Sequence, residues 1–209
     1  MTIATRTIFV CLLSLLFLTS SAQSDTTNKK DRLQVYPLFQ AWKTTGSAKP
    51  VFGIVRQYGL HVEFSDKSLP VNLFADVSFS GGRDMKEPIL IEHQDRVYTS
   101  SRFSCSMLFL MASKGISMRG GDTYIGAEAG VGSTHFRYPL KHSSTTVDAA
   151  SPALRFGLYF ATRVTKRWGP AINLQYILTD LSPVGEQPSD LSGNMMVLSI
   201  YLAPFFDGF

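Results

Sequence analysis

The sequence predicts an all-β protein, an eight-stranded antiparallel up-and-down β-barrel that follows a cleaved N-terminal signal peptide. Three observations carry this prediction. Side chains alternate between apolar and polar along eight segments, no window has a convincing helical period, and the connections alternate between short and long. The composition is that of a folded chain, since 44% of the 209 residues are hydrophobic and 17% are charged. Disorder over the whole length is therefore excluded.

The N-terminus has the pattern of a signal peptide. Arg6 is the only charged residue before Asp25, an apolar run covers 8–18, and the small residues Ser20 and Ala22 stand two apart. The run is much shorter than the roughly 20 residues of a membrane-spanning helix. We expect cleavage after Ala22.

The mature chain then divides into a flexible polar leader at 23–32 and one barrel domain at 33–209, behind the signal peptide at 1–22. Cys105 is its single cysteine, which excludes an internal disulfide. Removal of Arg6 with the signal peptide lowers the formal net charge from +4 to +3, and the remaining basic residues form no continuous stripe. We therefore expect no nucleic-acid partner.

The alternation is clearest in the last three segments, at 152–164, 168–179 and 194–206, where even positions are apolar and odd positions are polar or small. Four upstream segments have more exceptions. They lie at 51–64, 69–80, 98–111 and 123–136. Arg56 interrupts the apolar face of the first of these, and Pro37 makes the remaining segment, 33–42, the weakest candidate.

The connections define a plain end and an elaborated end of the barrel. Short or medium connections are predicted at 65–68, 112–122 and 165–167. Long ones are predicted at 43–50, 81–97, 137–151 and 180–193.

A soluble barrel turns its apolar face inward, whereas a transmembrane barrel turns its apolar face outward, toward lipid. The direction of the apolar face therefore distinguishes the two architectures. All nine lysines fall in the leader or in the predicted loops and turns, whereas a soluble barrel is expected to carry lysine on its outer strand surface. Aromatic residues collect near predicted strand ends, as in interfacial girdles. A transmembrane barrel with its polar face inside is therefore favoured.

This orientation assigns two sets of residues. The predicted interior charges are Glu63, Asp76, Arg102, Glu128, Arg155 and Arg163. The predicted lipid-facing residues are Leu154, Phe156, Leu158, Phe160, Ile172, Leu174, Leu178, Met196, Leu198, Ile200 and Leu202. Three charges of each sign suit a closed interior, where a charge persists mainly when it is paired.

The stretch 157–176 carries a resemblance to known proteins. It consists of an alternating strand, a tight basic turn, Trp168, and a second alternating strand that ends in Tyr176. This looks like the penultimate hairpin of small outer-membrane barrels. With the signal peptide and the aromatic C-terminus, the whole mature chain resembles the OmpA/OmpX-like outer membrane protein β-barrel family.

The resemblance implies a location in the outer membrane of a double-membraned bacterium, in contact with outer-membrane lipid. It also implies that the outer-membrane assembly machinery recognises the C-terminal strand. Counted back from Phe206, apolar residues hold every second position except Pro204. Counted from Phe209, the pattern fails at Asp207.

No residue set predicts a cofactor, a metal site or catalysis. The four histidines have no compact metal-ligand spacing. Gly126, Gly130 and Gly132 lie on one strand face, where they make room for neighbouring side chains. Some outer-membrane barrels modify lipid A with a His-x-Ser pair and a carboxylate. His142 and Ser144 have that spacing near Asp148, but they lie in a polar loop, so we expect no activity there.

The sequence therefore predicts an integral outer-membrane barrel with a structural or surface-interaction role through its long loops. It is not expected to be an enzyme or a general diffusion pore, because side chains fill an eight-stranded interior. The partner of the loops is not specified. Two alternatives stay open: a lipid A-modifying barrel enzyme, and a secreted soluble lipocalin-like barrel that binds an apolar ligand.

Overall fold

A computed structural model describes residues 32–65, 69–118, 122–165, 168–179 and 193–204. The strands are β1 (Arg32–Thr44), β2 (Ile54–Ser65), β3 (Asn72–His93), β4 (Arg96–Met118), β5 (Thr123–Pro139), β6 (Thr146–Thr162), β7 (Trp168–Thr179) and β8 (Met195–Pro204). A 3-10 turn (Gly46–Ala48) and a short helix α1 (Lys49–Phe52) connect β1 to β2. Among these residues, no helix has the length and apolar character needed to cross a membrane.

Every strand pairs antiparallel with the next one in the chain, and β8 pairs with β1 to close the barrel. This closure leaves no strand at the edge of a sheet along the paired segments. The predicted all-β fold and its eight-stranded up-and-down topology are confirmed. The signal peptide, the leader as far as residue 31, and Phe206 and Phe209 lie outside the described residues.

The barrel has two distinguishable ends. We call one the turn side: it carries the β2–β3, β4–β5 and β6–β7 connections and both ends of the barrel chain. We call the other the loop side: it carries the β1–β2 connection with α1, the tips of the β3–β4 and β5–β6 hairpins, and the β7–β8 connection.

Two predicted long loops are in fact strand pairs, which corrects the sequence analysis. The segment 81–97 continues β3 and β4 to 22 and 23 residues, with a tight turn at Gln94 and Asp95, both at positive φ. The segment 137–151 extends β5 and β6 in the same way. The inward residues there are apolar, with Met85, Ile89 and Tyr138 buried, while the outward residues are mostly polar. This reverses the pattern of the predicted strands, so the predicted alternation ends although the backbone pairing continues. For the same reason some lysines do lie on strands, namely Lys43, Lys86 and Lys114.

The weakest predicted strand is regular. β1 pairs with β2 from Arg32 to Lys43, and with β8 from Leu38 to Thr44. Pro37 is the residue just before the β8 pairing begins, so its missing N–H removes no hydrogen bond from that ladder. The proline therefore marks the end of a pairing and does not break the strand.

The outward and inward faces follow the prediction in β6, β7 and β8, where even positions are exposed and odd positions face the interior. β4 differs. The apolar set Phe103, Cys105, Met107, Phe109 and Met111 is buried inside the barrel. Leu108 and Leu110 occupy the outer face instead. Both faces of this strand are apolar, so its alternation could not give the direction.

Candidate functional site

A charged cluster lies in the interior on the turn side. Arg155 Nη2 on β6 is 2.6 Å from Asp76 Oδ2 on β3, across the barrel lumen. The other carboxylate oxygen of Asp76 is 2.7 Å from His61 Nδ1 on β2. All three residues are 2% exposed. Burial of such charges costs free energy unless they are paired, and here both carboxylate oxygens have a partner.

Glu128 anchors a second group of polar side chains beside this cluster. Its carboxylate accepts hydrogen bonds from Asn173 Nδ2 at 3.0 Å and from Gln175 Nε2. Ser199 Oγ donates to Gln175 Oε1 at 2.9 Å, and Gln40 Nε2 donates to Ser199 Oγ at 3.0 Å. The chain of bonds therefore joins β5, β7, β8 and β1, and it satisfies groups that would otherwise be buried without partners.

Aromatic rings surround the imidazole of His61. The ring of Tyr201 stacks on it at 4.3 Å between centroids, Tyr36 stacks at 5.8 Å, and Phe74 lies at 4.7 Å. The Arg155 guanidinium lies 5.2 Å from the centroid of the Phe109 ring. These contacts fix the orientation of the charged groups, because rings on several sides leave the side chains little room to rotate.

The loop-side half of the interior is apolar. Trp42 on β1 contacts Phe103 on β4 and Phe136 on β5, with ring centroids 6.2 and 6.0 Å apart. Phe52 of α1 packs edge-on against Phe103 at 4.9 Å. The rings therefore meet across the lumen, and the β1–β2 connection contributes one of them.

The glycines of β5 accommodate neighbouring side chains. A Cβ at Gly126 would overlap the ring of Tyr159, and one at Gly132 would stand 2.6 Å from Phe109 Cδ1. This is the role predicted for these glycines, and Tyr159 and Phe109 are among the side chains that they accommodate.

The predicted interior charges occupy three different environments. Asp76, Glu128 and Arg155 lie buried in the interior, and Glu63 is partly buried on the inward face of β2. Arg163 lies at the turn-side rim, with Nε 3.5 Å from Asp122 Oδ1.

Arg102 is not an interior residue, which corrects the prediction. Its side chain is 61% exposed on the outer face of β4, 3.1 Å from Asp84. The inverted apolar face of β4 explains the error, since the residues opposite Phe103 and its neighbours point outward.

All eleven predicted lipid-facing side chains lie on the outer surface. Their exposed fractions run from 38% to 64%. Large apolar side chains of β1 to β5 continue the same belt around the barrel, among them Phe39, Tyr58, Phe79, Leu110 and Val131. Contact of this belt with lipid stays a prediction.

The His142 and Ser144 pair lies exposed in the β5–β6 turn. Asp148 does not orient His142. Its carboxylate is 2.9 Å from Arg137 Nε and 3.8 Å from His135 Nε2 on the outer face of β5. Within the described part of the chain, no cluster of three metal-ligating side chains occurs.

Sequence reasoning missed the aromatic cluster around Trp42 and the pairing of Asp76 with Arg155. The cluster has one local signal in the sequence, two glycines that bracket Phe52. Gly46 and Gly53 take positive φ values of 67° and 62°, which let the connection turn inward. The ion pair has no such signal, because it joins strands distant in the chain.

No protein-family model matches the chain, and no curated protein matches it. Among solved structures, Neisserial surface protein A superposes with a TM-score of 0.56 at 10% identity, over 85% of this chain and 100% of that one. Ail of Yersinia pestis, in complex with the heparin analogue sucrose octasulfate, superposes with a TM-score of 0.51 at 7% identity, over 84% and 98%. The chain has the fold of the OmpA/OmpX-like outer-membrane barrels. At these identities the likeness concerns the fold alone.

Proposed function

We propose that the protein is an integral outer-membrane β-barrel with a structural or surface-interaction role, and that it is neither an enzyme nor a general diffusion pore. The observation that carries this proposal is the distribution of side chains across the wall. Large apolar side chains, each about half exposed, cover the outer surface of the barrel, while paired charged side chains are buried in its interior. A barrel that is surrounded by lipid has this arrangement.

The soluble alternative fits the wall less well. A lipocalin-like barrel keeps its apolar side chains inside and exposes polar ones. Here Leu158 and Leu110 are exposed at 64% and 63%, and they belong to a belt rather than to an isolated patch. An exposed apolar surface of that extent is a liability in water.

The filled interior supports the exclusion of a general pore. The Asp76–Arg155 pair and the Trp42–Phe136 contact both cross the lumen. The function is then left to the loop side, where β3, β4, β5 and β6 extend furthest and present charged residues. Insertion through the C-terminal strand by the outer-membrane assembly machinery belongs to the same proposal.

Fractionation and gel mobility test the proposal together. We expect the exported protein in the outer-membrane fraction, with an intact mass that shows cleavage after Ala22. We expect it to migrate faster in SDS before boiling than after, because a closed hydrogen-bonded wall has no edge from which to unfold. A protein that stays folded in buffer without detergent, or that has a helical circular dichroism spectrum, contradicts the proposal.

A further inference from the structure

Two cations on the outer wall have no counter-charge among the described residues. Lys43 on β1 and Arg56 on β2 are exposed and point outward. On the outer faces of β7, β8, β1 and β2, the described side chains include no other charged residue. Neither cation takes part in an ion pair among the described residues. Arg56 is also the residue that interrupts the predicted apolar face of its strand.

The strand register makes the two cations neighbours. Lys43 pairs with Ile54, and Ala41 pairs with Arg56, so the two cations are diagonal neighbours on one face. Cβ atoms in such a diagonal are about 7–8 Å apart. Both long side chains can therefore reach a single anionic group, and without one they repel each other.

The two cations lie at the loop-side border of the apolar belt. The outward residues of β1 run from Leu33 to Lys43. At about 3.3 Å per residue and a tilt of about 40°, that stretch rises about 25 Å, the height of the apolar band of an outer-membrane barrel. Further into the belt, the rings of Phe39 and Tyr58 meet edge to face at 5.6 Å on the same outer surface.

Apolar side chains lie on both sides of Lys43, and a third cation lies near the same edge. Ile54 is 75% exposed beside Lys43, and Met196 on β8 is the partner of Lys43 on its other side. The stem of Lys86 lies over Gly53, one residue before β2, which brings a third cation to this edge. Such a surface offers acyl chains an apolar contact and offers a headgroup positive charge.

We propose that Lys43 and Arg56 bind the phosphate of an anionic lipid in the leaflet at the loop side. The guanidinium of Arg56 can donate two parallel hydrogen bonds to phosphate oxygens, and the ammonium of Lys43 supplies a point charge. Their apolar stems lie along the belt while the charged ends reach the headgroup level. This inference rests on the proposed membrane location and adds a lipid-binding site to it.

Native mass spectrometry of the detergent-purified full chain tests the site. The probes are lipid A and the same lipid after enzymatic removal of its phosphates. We expect the wild type to retain the phosphorylated form at least tenfold better. We expect the variant Lys43→Gln/Arg56→Gln to lose that preference. The control Arg96→Gln/Lys114→Gln removes the same charge from exposed positions elsewhere on β4 and should keep the preference.

Equal retention of both lipids by the wild type overturns the inference, and this comparison requires no variant. A preference that survives in Lys43→Gln/Arg56→Gln overturns it as well. So does displacement of the lipid by an equal concentration of inorganic phosphate, which would mark a phosphate site without lipid specificity. Heat-dependent gel mobility is measured on every sample. A barrel that is intact but has no lipid preference refutes the site alone, whereas loss of the mobility shift in the wild type refutes the membrane proposal.

Discussion

The two halves of the barrel interior are filled by different chemistry. On the turn side, Asp76 pairs with Arg155 and His61, and Glu128 accepts hydrogen bonds from Asn173 and Gln175. On the loop side, Trp42 packs against Phe103 and Phe136 through ring contacts. The stability of the polar half depends on the pairing of its buried charges, and that of the apolar half depends on how well side chains fill its volume. Substitutions that change charge and substitutions that change size should therefore separate the two halves.

The largest effect is expected where a buried charge loses its partner. Asp76→Asn keeps the shape of the side chain but removes the carboxylate that pairs with buried Arg155 and His61. We expect it to lower the free energy of unfolding by about 3–5 kcal/mol. Urea titration of protein folded into lipid vesicles measures this. Asp84→Asn removes the carboxylate of an exposed ion pair with Arg102 and should change stability by about 1 kcal/mol or less. Equal effects would contradict the assigned difference in burial.

The apolar half should respond to volume instead. Met195 is fully buried on β8, so Met195→Ala leaves a cavity and should cost about 2–5 kcal/mol. Met195→Leu nearly conserves volume and should cost less than about 1.5 kcal/mol. The same titration distinguishes them. If the two variants were equally stable, the loop-side interior would not be closely packed.

A smaller effect is expected where a glycine makes room for a ring. Gly126→Ala places a methyl group against the ring of Tyr159 and 2.5 Å from the backbone oxygen of Lys114. Displacement of these groups should cost about 1–3 kcal/mol. Gly81→Ala is the matched control, because a Cβ there has no heavy atom within 4 Å. A neutral Gly126→Ala would show that Tyr159 has another position available.

The smallest effect is expected on the outer face of the β5–β6 hairpin. Arg137→Gln breaks the exposed pair with Asp148 and should change the unfolding free energy by about 0–1 kcal/mol. The effect should shrink further in high salt, since exposed charges are screened. A loss comparable with that of Asp76→Asn would mean that this hairpin is buried against another molecule.

The sequence predicted the barrel and the faces of β6, β7 and β8 because each of those strands has one apolar and one polar or small face. It could not orient β4, where Leu108 and Phe109 lie on opposite faces and both are apolar. The error at Arg102 follows from that ambiguity. The extent of β3 was also missed, because two register shifts beyond Ser80 interrupt its alternation while the backbone pairing continues.

Interior contacts between distant strands were beyond sequence reasoning for a different reason. Asp76 and Arg155 were each predicted to be interior charges, yet their contact depends on the register of every strand between β3 and β6. Alternation fixes the face of a residue and not its height in the barrel. The inward position of the Phe52 side chain likewise depends on the space that the surrounding strands leave in the loop-side interior.

Contact between the outer belt and lipid can be tested with a single substitution in the middle of the belt. Ile200 lies midway along β8, on the outer surface and opposite Phe39. In lipid vesicles, Ile200→Arg should lower the free energy of unfolding by about 2–4 kcal/mol, whereas Leu33→Arg at the turn-side end of the belt should cost only about 0–1 kcal/mol. If Ile200→Arg were as harmless as Leu33→Arg, the belt would face water and the outer-membrane account would be wrong.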